Sequence, residues 1–124
     1  MDASFSSTPS DATSTSTVIV LTTMPADPGE GRIDAITLGR TLVEEGLAAC
    51  VNVLPPMESV YRWQGSVHQD AERQLVIKTR AERVDALRGR LATLHPYEVP
   101  EFLVLPVSAG SPSYLDWVKG SVAV

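Results

Sequence analysis

The chain has a single cysteine, Cys50, so no disulfide framework can form within it. One lone thiol fits a reducing compartment. Runs of Lys or Arg are also missing, and 15 acidic side chains outnumber 10 basic ones, for a formal charge of −5. Duplex nucleic acid and anionic membrane surfaces both require a basic footprint, so neither is an expected partner. No apolar stretch is long enough to span a bilayer. Residues 1–16 lack both the Lys or Arg and the apolar core of a secretory signal. The expected location is the cytoplasm. There is no phosphate-cradling glycine loop, no CxxC pair, no HExxH and no nucleophile elbow. No catalytic constellation is identifiable, and the expectation is a protein that is not an enzyme.

What is present suffices for one folded domain: 124 residues, of which 44% are apolar. Residues 1–16 are dominated by Ser and Thr and offer little to bury, so they are expected to form a disordered tail. The domain is expected over 17–124. Thr17–Thr23 is short and β-branched and reads as a first strand. The Pro- and Gly-rich stretch 25–31 is a loop. A helix is expected from about Arg32 to Glu45, with Ile33, Ile36, Val43 and Leu47 as its apolar face and Gly46 as its stop. A strand from Ala48 to Leu54 is interrupted by Pro55-Pro56. Ser59–Trp63 and a long return strand from Ser66 to Thr79 flank a hairpin tip at Gln64-Gly65. Thr79 and Glu82 match a capping box for a second helix, whose face is Val84, Leu87, Leu91 and Leu94 and which ends at Pro96. A last strand is expected over 101–107 and a short helix over 113–119.

The order βαββαβ predicts an α+β fold. It is a ferredoxin-like sandwich, with two helices on one face of an antiparallel sheet, plus a short C-terminal helix. The other face should alternate to polar residues. Instead, Val18–Leu21, Val76-Ile77 and Leu103–Leu105 are apolar at consecutive positions, hence on both faces. Such a patch calls for a cover, either identical subunits or the terminal helix folded over it.

Candidate site residues follow from chemistry. His95-Pro96-Tyr97-Glu98-Val99-Pro100-Glu101 places an imidazole, a phenol and two carboxylates on a backbone stiffened by two prolines. It could bind a cation or a polar ligand, handle a proton, or serve as a rigid connection. Lys78 interrupts an apolar strand, and its charge must be paired or reach water. It could anchor an anionic ligand or pair with Glu98 or Glu101 across a subunit boundary. Tyr61 and Trp63 at the hairpin end could stack on a ligand or pack against a neighbour. His68, Asp70 and Glu72 alternate on one strand face, as three metal ligands would, or as any solvated strand does. Cys50, among apolar neighbours, is expected to be buried and inert.

Val20–Pro25, Leu47–Pro55, Ser59–Gly65, Leu75–Thr79, His95–Glu101 and Tyr114–Trp117, in this order over about 18–120, together resemble the CutA family of divalent-cation tolerance proteins. The resemblance implies a ferredoxin-like subunit in a tight homotrimer with PII-like architecture, and an association with copper and other divalent cations. Some bacterial members carry Cys at the position of Thr22 and His at the position of Leu94, so this chain keeps only His95 of that set. The resulting expectation is a trimeric protein of cation tolerance with weak or indirect metal binding, copper being the cation to test and His95 the candidate ligand. The alternative is a PII-like small-molecule module whose pockets between subunits are lined by Trp63, Lys78, His95, Tyr97, Glu98 and Glu101.

Overall fold

The computed structural model describes residues 15–123. The expected tail lies outside the described residues as far as residue 14. Thr15 and Ser16, assigned to that tail, belong instead to the domain. Thr15 Oγ1 donates to the Val107 carbonyl, and the Ala81 N–H donates to the Ser16 carbonyl at 2.8 Å.

Among the described residues, five strands form one antiparallel sheet: β1 (Thr17–Pro25), β2 (Cys50–Val53), β3 (Met57–Trp63), β4 (Ser66–Arg80) and β5 (Leu103–Pro106). The spatial order is β2-β4-β1-β5, with β3 also paired to β4. The helices are α1 (Ala35–Glu44), α2 (Val84–Leu94), entered through a 3-10 turn at Ala81–Arg83, and α3 (Pro112–Ser121). The ferredoxin-like order is as the sequence predicts, with β4 long enough to take two partners in series along one edge.

Side chains directly opposite each other in a sheet share a face. The register puts Val20 opposite both Ile77 and Val104, and Thr22 opposite Leu75. This is the helix-covered face, and Val20, Leu75 and Ile77 there are completely buried against Leu38 and Leu42 of α1 and Leu87 and Leu91 of α2. Helix α1 begins at Ala35 because Asp34 caps it, accepting from the Thr37 N–H at 2.8 Å. Its buried face is Ala35, Leu38, Gly39 and Leu42, which corrects the expected one. The reason is Gly39, where a Cβ would stand 3.1 Å from Val51 Cγ1. The helix seats this glycine on β2 and turns Ile36 and Val43 to the rim, where both are exposed.

Gly46 ends α1 at φ +76, and the Leu47 N–H closes the turn on the Leu42 carbonyl at 2.9 Å. The Gln64-Gly65 tip has both residues at positive φ, as a two-residue hairpin turn of this twist requires. Thr79 is not a helix cap. β4 runs through it, and its buried hydroxyl donates to the Leu47 carbonyl at 2.7 Å. Strand pairing to β1 as far as Thr17↔Arg80 outcompetes the capping box.

Two buried threonines on this face therefore differ in hydrogen bonding. Thr79 Oγ1 has a partner, whereas Thr22 Oγ1 is buried without one among the described residues. Thr79→Val should lower unfolding free energy by about 1–2 kcal/mol, since it orphans the Leu47 carbonyl. Thr22→Val removes an unpartnered hydroxyl at constant shape and should raise stability by about 1 kcal/mol. Urea denaturation at one fixed protein concentration distinguishes the two.

Candidate functional site

The face away from α1 and α2 carries the site, and the register of β4 decides what lies on it. Val53 stands opposite Leu75 and Met57 opposite Glu72, so four steps along β2–β3 match three along β4. The extra residue falls at Leu54-Pro55-Pro56 and acts as a bulge does, reversing which side chains point to which face. Without it, Val60 and Arg62 would share a face with the even-numbered residues of β4. With it, Tyr61 stands beside His68 and Trp63 beside Ser66 on that face. The bulge is anchored by Arg73, whose Nε donates to the Leu54 carbonyl at 2.8 Å.

These residues border a cleft of about 440 Å³. Thr23 comes from the end of β1, Tyr61 and Trp63 from β3, and Glu72 from β4. The connection from α2 to β5 supplies Pro96, Tyr97, Glu98, Val99 and Glu101. Tyr97 donates its phenol proton to Glu72 Oε2 at 2.6 Å, and Glu72 is only 8% exposed. Burial, together with this carboxylate, pushes the Tyr97 phenol far above its ordinary range, so it remains a donor. Tyr61 likewise donates to Asp70, which raises its phenol too. Gln74 uses both amide protons, one to the Thr22 carbonyl at 2.7 Å and one to Glu101 Oε2 at 2.9 Å. It thereby pins the last carboxylate of the connection to the sheet.

Of the residues expected to form a pocket, Trp63, Tyr97, Glu98 and Glu101 line this cleft; His95 and Lys78 do not. His95 is buried beneath it. Its Nε2 lies 2.6 Å from the Thr23 carbonyl, and its Nδ1 accepts from the Tyr97 N–H at 3.1 Å. A carbonyl can only accept, so Nε2 carries the proton and Nδ1 offers its lone pair to the backbone. The ring is a neutral brace with no lone pair left for a metal, and His95 in this position does not fit the role of ligand. Lys78 lies four residues along β4 from Gln74, about 13 Å at the usual strand rise. It stands opposite Ile19 and Cys50 on the same sheet face. Cys50 is only half-buried there, not enclosed as expected.

His68, Asp70 and Glu72 do share a face, but they are taken up by two aromatics, Tyr61 and Tyr97. His68 stacks on Tyr61 at 5.6 Å, Asp70 accepts from Tyr61, and Glu72 accepts from Tyr97. Among the described residues no three His, Cys, Asp or Glu side chains are grouped as metal ligands. Sequence reasoning missed Thr23 and Gln74. Their signal is register, since they stand opposite one another beside the cleft.

Burial lowers the affinity of His95 for a proton below that of an ordinary imidazole, outweighing the Thr23 carbonyl and Glu72, which favour the charged form. In the unfolded chain the imidazole keeps its ordinary affinity, near pH 6.5, and therefore takes up this proton first as pH falls. The stability due to neutral His95 is complete above about pH 6.5 and is lost as pH drops towards the depressed folded value. The denaturation midpoint should fall between about pH 7.5 and pH 5.5. His95→Gln should be less stable at pH 7.5 and show a shallower fall, as measured by urea melts across that range.

A family model described as the CutA1 divalent ion tolerance protein matches residues 18–121. The divalent-cation tolerance protein CutA of Thermus thermophilus is 45% identical over 82% of this chain and 93% of its own length. The chloroplastic protein CutA 1 of Oryza sativa is 41% identical over 90% of this chain, which spans 60% of that longer protein. Among solved structures, CutA of Xylella fastidiosa superposes with a TM-score of 0.79 at 42% identity, covering 87% of this chain and 99% of that one. The PII-like protein CutA of Nostoc superposes with a TM-score of 0.74 at 40% identity, covering 86% and 97%. With a family match across nearly the whole described domain and close agreement in fold, the chain belongs to the CutA1 divalent ion tolerance family.

Proposed function

We propose that this chain works as a homotrimer in the tolerance of divalent cations, in the cytoplasm, and that it binds rather than catalyses. The single observation carrying the assembly is the apolar end of the site face. The register sets Leu105, Ile19 and Lys78 in one row and Leu103, Leu21 and Val76 in the next. Helices α1 and α2 lie on the opposite face. Val118 of α3 and Val122 just after it are buried with Ala49, while Leu103 and Leu105 remain 54% and 44% exposed. A cyclic arrangement of identical chains covers such a face at every subunit.

The names of the relatives support the association with cations. The occupied nitrogens of His95 favour an indirect role over a dedicated copper site within one subunit. They also argue against proton transfer by this imidazole and so for a non-enzymatic part. A second reading, a PII-like small-molecule module, is favoured by the aromatic and carboxylate cleft, whose volume suits a small ligand.

Sedimentation velocity at micromolar concentration should give three times the 13.3 kDa chain mass. Leu105→Asp, which places a charge in the apolar rows, should shift the protein towards the single-chain mass. A wild-type particle at the single-chain mass sinks the trimer. Calorimetry with Cu(II) should find no stoichiometric site that His95→Asn abolishes. A tight site lost in that variant would restore His95 as a ligand.

A further inference from the structure

The cleft is lined by three carboxylates and three aromatic side chains, and among the described residues no basic side chain borders it. Glu72, Glu98 and Glu101 border it together with Tyr61, Trp63 and Tyr97. Among the described residues, the ion pairs are Arg80–Glu82 and Arg90–Glu45, so none of the three cleft carboxylates has a cationic partner. The basic residues of the surrounding strands fall elsewhere. By register Arg62 and Arg73 lie on the opposite face of the sheet, and Arg73 is engaged at the Leu54 carbonyl.

Glu72 matters most, because a carboxylate more than nine-tenths buried is ordinarily paired with a cation. Its Oε2 takes the Tyr97 proton, and no described side chain pairs with its other oxygen. The aromatic walls are held in place, since Tyr97 and Tyr61 are fixed through their hydroxyls to Glu72 and Asp70.

From this we infer that the cleft binds a small organic ammonium cation, of the class of short aliphatic di- and polyamines. A bare metal ion would want oxygen ligands converging at about 2–2.6 Å. Among the described residues no three His, Cys, Asp or Glu side chains are grouped as metal ligands, and the cleft carboxylates share its lining with apolar and aromatic surface such as Trp63 and Val99. An alkylammonium matches both parts. Its N–H groups meet carboxylates, its methylenes lie against apolar surface, and its charge is attracted to aromatic faces. The proposal rests on reading the cleft as a ligand site. It does not require the trimer.

Isothermal titration of the intact protein with spermidine and putrescine tests it, with 1,4-butanediol and Mg²⁺ as comparisons. Spermidine should bind more tightly than putrescine and weaken with added salt, and the diol and Mg²⁺ should give no comparable heat. Glu98→Gln and Trp63→Leu, both at exposed positions, should each weaken spermidine by roughly three- to ten-fold, the loss of one charge pair or one cation–π contact. Asp85→Asn on α2, away from the cleft, should leave affinity unchanged.

Equal weakening by Asp85→Asn would mean general attraction to an acidic protein and would overturn the assignment. So would equal binding of the diol or Mg²⁺, or no amine binding up to millimolar concentration. A parallel thermal-shift panel of anionic and neutral metabolites distinguishes two failures. An anion whose effect disappears in Trp63→Leu would keep the cleft as a ligand site while overturning the ammonium class. No response to any ligand would overturn both.

Discussion

Two strands, β2 and β3, share one edge of β4, and the chain between them carries one residue more than the matching stretch of β4. In a pleated sheet one residue is half a period, so every side chain after that point changes face. The insertion falls at Pro55-Pro56, where the missing N–H groups cost nothing because the pairing is already broken. Its effect extends to the hairpin tip. Tyr61 and Trp63 join the face that holds Glu72, and Val60 and Arg62 leave it. The cleft exists because of this offset, and so does its sign of charge, since the same half-period removes Arg62.

The even-numbered residues of β4 then form one continuous row of changing character. From Lys78 to Val76 the row lies among Ile19, Leu21, Leu103 and Leu105 and is apolar apart from one ammonium. From Gln74 to His68 it is polar and bordered by aromatics. One face thus has two chemical characters at its two ends. Exposure of the apolar end to water is unfavourable, and this is the driving force behind the proposed trimer. The polar end keeps its groups hydrogen-bonded within one chain, through Gln74 to Glu101 and Tyr97 to Glu72. The separation of Lys78 from Glu98 and Glu101 follows from the same geometry.

Much of the fold was legible because it rests on local chemistry. Gly46, the Gln64-Gly65 tip and Pro96 each act through backbone preferences that a single sequence displays. Ferredoxin-like order follows from the alternation of β-branched runs and helical periodicity. The errors arose where distant partners overrode a local signal. Thr79 and Glu82 spell a capping box, yet Thr79 lies in register with Val18 and donates to Leu47, 32 residues away. Ile36 and Val43 have helical spacing, yet Gly39 decides which side of α1 meets β2. In the site, chemistry-bearing residues were visible by type. Their grouping was not, because the half-period at Pro55-Pro56 shows only once β2 and β3 are placed against β4. Thr23 and Gln74 carry no chemical signal at all and matter only through register.

The sequence offers His95 as the candidate metal ligand, yet the fold occupies both of its ring nitrogens. Buried under the cleft, it spends one nitrogen on the Thr23 carbonyl and the other on the Tyr97 N–H, so it ties β1 to the start of the connection. That brace fixes where Tyr97 stands, Tyr97 fixes Glu72, and Gln74 fixes Glu101. The connection from α2 to β5 is then anchored near both ends, with two prolines limiting the backbone between them. Glu98 and Val99 are left exposed at its crest. An imidazole placed for metal chemistry would need an open lone pair and neighbouring ligands. This one is placed so that the surrounding phenol and carboxylates keep their positions, and any cation recognition at this end of the sheet falls to those carboxylates.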